Sequence, residues 1–386
     1  MNSKTDIEAI SGGWGIVRTI ARRFACIAIL TVVFASPGYG YAWYSGTSVG
    51  SNGIVYGWGF TDAHAHMYVH TAYVTTTLRS PNGRVASSGR VGAFNTVQSN
   101  VYLVWNSNDL GNYTVTSSHE FNCTFMGPVY LGNSNASDTA YVFTVSFSSP
   151  TVQPDGIGGN ATTQVTVQTN PPVSRAVTLQ DVRLTNTGGH LNHPLPNSAV
   201  TGTFPSGATG YTDSAGRLQR NYKASIFSGR HDIRATMNVG TWAATLDVKV
   251  LGLGQLTAGA NYIASNSPAG QIAHPNNWWG TSTTLSRLGP IAQAYSTRFP
   301  GAVLGYNDIS LPWGGKFDGN SYNWTGGHIE HRLGTNIDVT YCGTDTTRAD
   351  YVSPDRRDDI VEIFSDNGML SHEDECAALA HWHMRF

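Results

Sequence analysis

The segment Ala140-Tyr-Val-Phe-Thr-Val-Ser-Phe147 indicates the fold class of this 386-residue chain. Large apolar residues occupy every second position from Tyr141 to Phe147, and successive side chains of a strand point to opposite faces. Most of these residues are also aromatic or β-branched, types that suit a half-buried pleated surface. The segment therefore predicts a strand that places one face in a hydrophobic core.

Similar short runs recur on both sides of this segment, separated by Gly, Asn and Pro. They include Ala72–Leu78, Val101–Trp105, Thr163–Gln168 and Ala243–Val250. Such spacing is typical of antiparallel sandwiches, and we predict one sandwich from residues 43–148 and a second from 149–252. The stretch Gly210–Leu218 resembles the turn and strand of bacterial immunoglobulin-like repeats, which implies an immunoglobulin-like fold.

The N-terminus predicts export. Arg18, Arg22 and Arg23 precede an apolar run, Phe24–Ala35, that is too short for a membrane span of about 20 residues. We predict a signal peptide over residues 1–42, a secreted or periplasmic mature chain, and no stable membrane insertion after cleavage. The formal net charge is −2, which gives no reason to expect nucleic acid as a partner.

The C-terminal third has a different pattern, which predicts an α+β domain over residues 253–386. Apolar residues at helical spacing predict a helix over Thr284–Phe299, ended by Pro300 and Gly301. Ser353, Pro354 and an acid in the first turn predict the start of a second helix.

Two segments of this domain carry residues suited to metal chemistry. In His331-Arg-Leu-Gly-Thr-Asn-Ile-Asp338, a turn at Gly334 leads into an alternating run that turns Asp338 away from the core. At the end of the chain, His381 and His383 share one face of a strand. Two histidines and a carboxylate can hold zinc with a fourth position open for water, and one histidine remains for proton transfer.

Three motifs in order resemble the LAS zinc metallopeptidases, and most closely the penicillin-insensitive murein endopeptidase family. They are Ser310-Leu-Pro-Trp-Gly-Gly315, Gly327-His-Ile-Glu-His-Arg-Leu-Gly-Thr-Asn-Ile-Asp-Val339 and His381-Trp-His-Met-Arg385. The chain departs from the family pattern at Ala378, at Arg332, and in an insert over Lys316–Thr325. The resemblance covers roughly 80 residues of the C-terminal domain.

The resemblance implies a role for each matching residue. His331, Asp338 and His383 would bind one Zn²⁺, and His381 would be the catalytic histidine. Residues implied in the second sphere or in substrate binding are His328, Ser310 and Arg385. The implied activity is hydrolysis of peptide cross-links in peptidoglycan, or of another peptide substrate. The alternatives are a catalytically silent zinc-containing binding or adhesion protein on a hedgehog-like fold, and an adhesin whose sandwiches carry the function.

If Asp338 and His383 reach one zinc, their segments must run close together. Cys342 and Cys376 lie just outside these segments, and disulfides form in oxidising compartments. We therefore predict a Cys342–Cys376 disulfide, the alternative being two free buried thiols.

Further histidines and tryptophans allow two interpretations each. Trp278 and Trp279 would line a substrate groove or attach the domain to its neighbour. His190 and His193 follow Gly188-Gly189, and His64, His66 and His70 alternate along the chain. Since no carboxylate or thiol stands at ligand spacing beside them, hydrogen-bonded histidines are the simpler expectation for both groups.

Overall fold

A computed structural model describes most of the chain beyond the N-terminal segment. The described residues are 42–50, 54–62, 69–94, 96–105, 109–123, 127–191, 193, 200–264, 274, 276–316, 318, 324, 330–339, 342–376 and 381–386. The predicted signal peptide, apart from Ala42, lies outside them, as does His328. In these ranges no helix has the length and apolar character needed to cross a bilayer. The protein is mostly β-sheet and contains several sandwiches, as the alternating runs predict.

The first sandwich packs a three-stranded sheet, in the order β1-β2-β5, against a four-stranded sheet, in the order β4-β3-β6-β7. Its strands are β1 (Ala42–Val49), β2 (Ile54–Asp62), β3 (Val69–Arg79), β4 (Val85–Ala93), β5 (Thr96–Val104), β6 (Gly111–Cys123) and β7 (Gly127–Ala140). Apolar side chains of both sheets, including Val55, Leu78 and Val115, are fully buried between them. Alternation along each strand therefore places one face of each sheet in the core.

Polar side chains also lie in the interior of the first sandwich. Ser45 on β1 donates a 2.8 Å hydrogen bond to Ser117 on β6, and both side chains are buried. His119 is fully buried; its Nδ1 lies 2.7 Å from the Thr61 hydroxyl and its Nε2 2.7 Å from the Ser134 hydroxyl. Because each of these groups has a partner, burying them avoids the cost of unsatisfied polar atoms.

The second sandwich joins sheets in the orders β13-β10-β8 and β12-β11-β14-β15-β9. Its strands are β8 (Val142–Phe147), β9 (Thr151–Val152), β10 (Thr162–Asn170), β11 (Ala176–Arg183), β12 (Thr209–Tyr211), β13 (Arg217–Lys223), β14 (Gly229–Met237) and β15 (Gly240–Val248). Strand β8, the alternating segment within the range predicted for the first sandwich, pairs with β10. Its inward residues Phe143 and Val145, and Tyr141 just before it, belong to the core of the second sandwich.

The C-terminal domain combines two helices with a five-stranded sheet in the order β17-β19-β20-β22-β21. Its elements are β16 (Leu253–Gln255), β17 (Tyr262–Ala264), β18 (Trp279–Thr281), α1 (Ser282–Arg298), β19 (Leu304–Tyr306), β20 (Asn336–Val339), α2 (Arg357–Asp366), β21 (Ser371–Asp374) and β22 (Trp382–Arg385), with 3-10 turns at Glu330–Arg332 and Pro354–Arg356. Strands β16 and β18 form a separate pair.

Both helices lie close to their predicted positions. Thr281 caps α1 by accepting a 3.1 Å hydrogen bond from the Thr284 amide, so the helix starts two residues before the predicted boundary. The Ser353-Pro354 start signal opens a 3-10 turn, and α2 follows it directly. Buried apolar residues of both helices pack against the inner face of the sheet, which leaves the opposite face of β20 and β22 for polar side chains.

Candidate metal centre

The centre of the site is the pairing of β20 with β22. Asp338 lies directly opposite His383 in this antiparallel ladder. Their neighbours Ile337, Val339 and Met384 point into the hydrophobic core and are fully buried. Because side chains alternate along a strand, Asp338 and His383 both project from the other face. His383 Nδ1 lies 2.9 Å from Asp338 Oδ1.

His331 reaches the same carboxylate from the 3-10 turn that precedes β20. Its Nε2 lies 3.1 Å from Asp338 Oδ1, and its Nδ1 lies 3.2 Å from the Ile309 carbonyl oxygen. Gly334 makes this approach possible, since its φ is +69° and a Cβ there would lie 2.8 Å from the Gly280 Cα. The Gly334 turn was predicted from the sequence, and it brings His331 back over Asp338.

The charges of the buried residues His331 and Asp338 depend on each other. Burial alone would lower the pKa of His331, but the adjacent Asp338 carboxylate outweighs it and raises that pKa to about 9. Burial would likewise raise the pKa of Asp338, whereas His331, His383 and His381 hold it well below its usual range. The carboxylate is therefore charged and requires a cation beside it, either protonated imidazole or a metal ion.

His381 adjoins the same carboxylate at the exposed side of the site. Its Nε2 lies 3.4 Å from Asp338 Oδ2 and 2.8 Å from Glu375 Oε2. The Glu375 amide also donates a 3.1 Å hydrogen bond to the His381 carbonyl, so two contacts hold these residues together. The His381 side chain is 13% exposed, whereas that of Asp338 is 1% exposed. The site is therefore closed to solvent on the side of Asp338 and open to solvent on the side of His381.

Arg385 and Glu330 form a charged border beside His383. Glu330 Oε2 lies 3.1 Å from His383 Nε2 and accepts a 2.5 Å hydrogen bond from Arg385 Nε. Arg385 also donates a 2.7 Å hydrogen bond to Glu373. These contacts raise the pKa of Arg385 and lower that of Glu330, chiefly through their mutual hydrogen bond. Arg385 thus acts on the site through Glu330.

Three other residues singled out in the sequence are buried or half-buried. Ser310 is fully buried, and its hydroxyl has no hydrogen-bond partner among the described residues. Trp278 is half-buried against the core of the C-terminal domain, and Trp279 donates a 3.0 Å hydrogen bond to the Asn276 side chain. Trp278 therefore contributes to the packing of its own domain.

The predicted disulfide is present. Cys342 and Cys376 are bonded, with their Cα atoms 5.5 Å apart, and both are partly buried beside the core of the C-terminal domain. Cys376 follows Glu375, so the bond anchors the segment that holds His381. The disulfide prediction is confirmed, and the alternative of two free thiols is excluded.

Two acidic residues of the site were not recognised in the sequence. Glu330 immediately precedes His331, and Glu375 immediately precedes Cys376. Their positions next to a candidate ligand and a candidate disulfide were the only available signals. The structure also brings His190, His193, His274 and Asp318 together, four residues from segments without strand periodicity.

The residues of the site fit a divalent metal ion. His331, Asp338 and His383 are buried, and each offers a ligand atom within 4.8 Å of the others. The Ile309 carbonyl beside His331 Nδ1 and the Glu330 carboxylate beside His383 Nε2 correspond to the outer partners that usually orient metal-binding histidines. The donor set of two imidazoles and a carboxylate suits zinc.

Comparisons with known proteins identify no family for this chain. No protein-family model matches it, and no curated protein matches it in sequence. Among solved structures, a β-glycosidase from Bacteroides vulgatus is 10% identical, covering 50% of this chain and 22% of its own, with a TM-score of 0.20. Invasin, a bacterial integrin-binding protein, is 12% identical over 60% of this chain and 44% of its own, with a TM-score of 0.19.

A transglutaminase from red sea bream gives similar values, with 12% identity, coverage of 60% of this chain and 33% of its own, and a TM-score of 0.18. The chain spans less than half the length of each of these three proteins. Likenesses at this level carry no argument about function, which must be inferred from the site itself.

Proposed function

We propose that this protein is an exported zinc-dependent peptidase or amidase that hydrolyses peptide cross-links of peptidoglycan. One observation carries the proposal. Three buried potential zinc ligands, His331, Asp338 and His383, lie together at one face of the C-terminal sheet, with a further histidine at the exposed side of the site. A hydrolytic zinc site needs this combination of three ligands, an accessible position and a proton acceptor.

In this proposal, each residue of the site has its own role. His331 and His383 present imidazole nitrogens to the side of Asp338 Oδ1, while Ile309 and Glu330 fix the two rings. Zinc bound there would polarise the substrate carbonyl and lower the pKa of a water molecule towards neutrality. The buried ligand side holds the ion, and the His381 side receives the substrate.

His381 is the proton acceptor in this scheme. Neutral His381 has one basic ring nitrogen, which can accept a proton from the attacking water, and its Nε2 lies 2.8 Å from the Glu375 carboxylate. The Glu375 carboxylate then stabilises the imidazolium. The same proton is returned to the leaving amine as the peptide bond breaks, so the residue ends the cycle unchanged.

A second ligand set favours a different function. Asp338, Glu375 and His381 also offer ligand atoms within 4.8 Å of one another. A metal ion held there would occupy His381 and leave no histidine for proton transfer. The protein would then be a catalytically silent metal-containing binding or adhesion protein.

Digestion of purified murein tests the two functions. Residues 43–386 reconstituted with zinc should release cross-link cleavage products detectable by mass spectrometry. Asp338→Ala should lose the zinc of this site together with the activity, whereas His381→Ala should keep that zinc and lose roughly 10²–10⁴-fold in rate. The matched control is His372→Ala, an exposed histidine on β21, which should change neither quantity.

The outcomes separate the candidates. Zinc bound by the unmodified protein without any cleavage of murein or of model peptides would contradict the peptidase proposal. Loss of zinc in His381→Ala would make His381 a ligand and favour the silent binding protein.

A further inference from the structure

Four buried side chains converge at a second position, between the second sandwich and the C-terminal domain. They are His190, His193, His274 and Asp318, and their exposures are 1%, 8%, 0% and 2%. Each offers one ligand atom, and all four atoms lie within 4.8 Å of one another. This cluster shares no residue with the candidate site around Asp338.

The distances in this cluster match those between the ligands of one tetrahedral ion. His274 Nε2 lies 3.2 Å from His190 Nδ1, 3.2 Å from His193 Nε2 and 3.3 Å from Asp318 Oδ1. His193 Nε2 lies 3.6 Å from the same carboxylate oxygen. In a tetrahedral zinc site with bonds of 2.0–2.1 Å, neighbouring ligand atoms are separated by about 3.3 Å.

Hydrogen bonding alone accounts poorly for this arrangement. The His274 Nε2 atom has either one hydrogen or one lone pair, yet three donor or acceptor atoms approach it at 3.2–3.3 Å. One imidazole nitrogen can serve only one of them well. A cation at the centre would engage all four atoms at once.

The surroundings orient the four side chains. The Trp324 amide donates a 2.6 Å hydrogen bond to Asp318 Oδ2, which leaves Oδ1 directed at the histidines. The Trp324 ring packs on His193 and His190, at centroid distances of 4.4 Å and 4.8 Å, and Phe227 meets His190 edge-on. Aromatic walls of this kind exclude water and hold ligands in place.

Two domains contribute the four residues. His190 and His193 follow β11 of the second sandwich, whereas His274 and Asp318 belong to the C-terminal domain. Gly189, which has a φ of +99°, immediately precedes His190, and a Cβ on it would lie 2.5 Å from Pro312 Cδ. Only glycine allows the two domains to approach this closely at that point.

We propose that His190, His193, His274 and Asp318 bind a structural zinc ion that fastens the second sandwich to the C-terminal domain. The protein fills all four positions, and a closed tetrahedral site is the mark of structural rather than catalytic zinc. Three imidazoles and one carboxylate, without thiolates, favour zinc among the common divalent ions in a tetrahedral setting. The proposal is independent of any activity at Asp338.

Zinc stoichiometry in variants that lack the first site tests the proposal. Asp338→Ala, purified and reconstituted with zinc, should still carry one zinc per chain by elemental analysis. Adding His193→Gln to this variant should remove that zinc. The matched control adds His231→Gln instead, because His231 is also a buried histidine of the second sandwich, paired at 2.8 Å with Asp181 outside the cluster. It should leave the zinc count at one.

A folded Asp338→Ala protein without zinc would overturn the proposal. Where a variant fails to fold, anomalous scattering at the zinc edge from crystals of the zinc-reconstituted wild-type chain decides the question. A peak between the four side chains is expected, and its absence would refute the site. Loss of murein hydrolysis, in contrast, bears only on the site around Asp338.

Discussion

At the scale of single residues, Asp338 links the candidate ligands to the proton acceptor. Its Oδ1 faces His331 and His383, while its Oδ2 faces His381. A buried carboxylate with three imidazoles around it is stable only while positive charge is present nearby. The same arrangement therefore both attracts a metal ion and ties the position of His381 to that of the ligands.

Glu375 is predicted to position His381. Glu375→Gln keeps a hydrogen-bonding side chain but removes the charge that stabilises the imidazolium, so we expect kcat to fall about 10–100-fold with little change in KM. Zinc content should stay the same, and Glu375→Asp should recover part of the rate. The measurement is steady-state kinetics on soluble muropeptides together with elemental analysis. Loss of zinc in Glu375→Gln would identify Glu375 as a ligand instead.

The sequence alone brings some of these residues together and not others. Alternation along Asn336–Val339 and Trp382–Arg385 predicts which side chains leave the core, and the observed register sets Asp338 opposite His383. Glu375 has no such signal, because its contact with His381 depends on how the end of β21 meets β22. His274 and Asp318 lie in irregular segments, which have no periodic pattern from which the direction of a side chain could be predicted.

At the scale of elements, the first sandwich depends on a neutral histidine between its sheets. His119 on β6 is hydrogen-bonded to Thr61 on β2 of the other sheet and to Ser134 on β7. Burial lowers the pKa of His119 to about 4, while an exposed histidine has a pKa near 6.5. Between these values the unfolded chain binds a proton that the folded chain does not.

We therefore predict that the first sandwich loses stability as the pH falls from about 6.5 to about 4. The loss attributable to His119 is roughly 2–3 kcal/mol, because a depressed histidine pKa favours the fold only at higher pH. Urea unfolding at pH 7 and pH 4.5 measures it. In His119→Gln the corresponding part of the pH dependence should disappear. An unchanged pH dependence in that variant would show that other groups cause the effect.

The disulfide is an element-scale constraint on the site. It connects Cys376, beside Glu375, to Cys342, beyond the end of β20, across a separation of 34 residues. Replacing both cysteines by Ser should lower the free energy of unfolding by roughly 3–4 kcal/mol, as expected for a loop of this length. It should also reduce activity, since Glu375 loses its anchor.

Denaturant unfolding and murein digestion measure the two effects of disulfide removal. Cys123→Ser removes the one other cysteine of residues 43–386 and serves as the control. Full activity of the double Ser variant at a temperature where it is folded would separate the disulfide from the positioning of Glu375.

Strand β8 shows what periodicity can and cannot predict at this scale. Its alternating residues predict a half-buried strand, and the strand is present. Periodicity does not predict which strand it pairs with, however, and β8 pairs with β10 rather than with the strands that precede it. Partner choice depends on contacts between distant segments, which neither spacing nor composition reports.

At the scale of the whole molecule, the second sandwich and the C-terminal domain share backbone hydrogen bonds. The Lys316 amide donates to the Ile226 carbonyl at 2.9 Å, and the Val250 amide donates to the Trp313 carbonyl at 2.9 Å. Phe227 and Gly315 form an isolated antiparallel bridge in the same region. These contacts form a junction that, together with the proposed zinc site, holds the second sandwich in a fixed position relative to the C-terminal domain. The close backbone contacts of the junction could not be predicted, since each needs both domains in place.

Gly315 provides the test of this junction. Its φ is +72°, and a Cβ there would lie 2.7 Å from the backbone nitrogen of Ser228 in the second sandwich. Gly315→Ala should therefore lower the free energy of unfolding by roughly 2–4 kcal/mol, through backbone strain and through separation of the domains. Calorimetry should also resolve separate transitions for the second sandwich and the C-terminal domain.

Gly207→Ala is the matched control, because Gly207 has a φ of +88° and no atom within 4 Å of a built Cβ. It should cost only the strain of the left-handed conformation, about 1–2 kcal/mol, and leave the transitions together. The difference between the two variants isolates the contact between domains. Equal losses of stability with one shared transition in both would mean that the junction does not couple the domains, and that each folds on its own core.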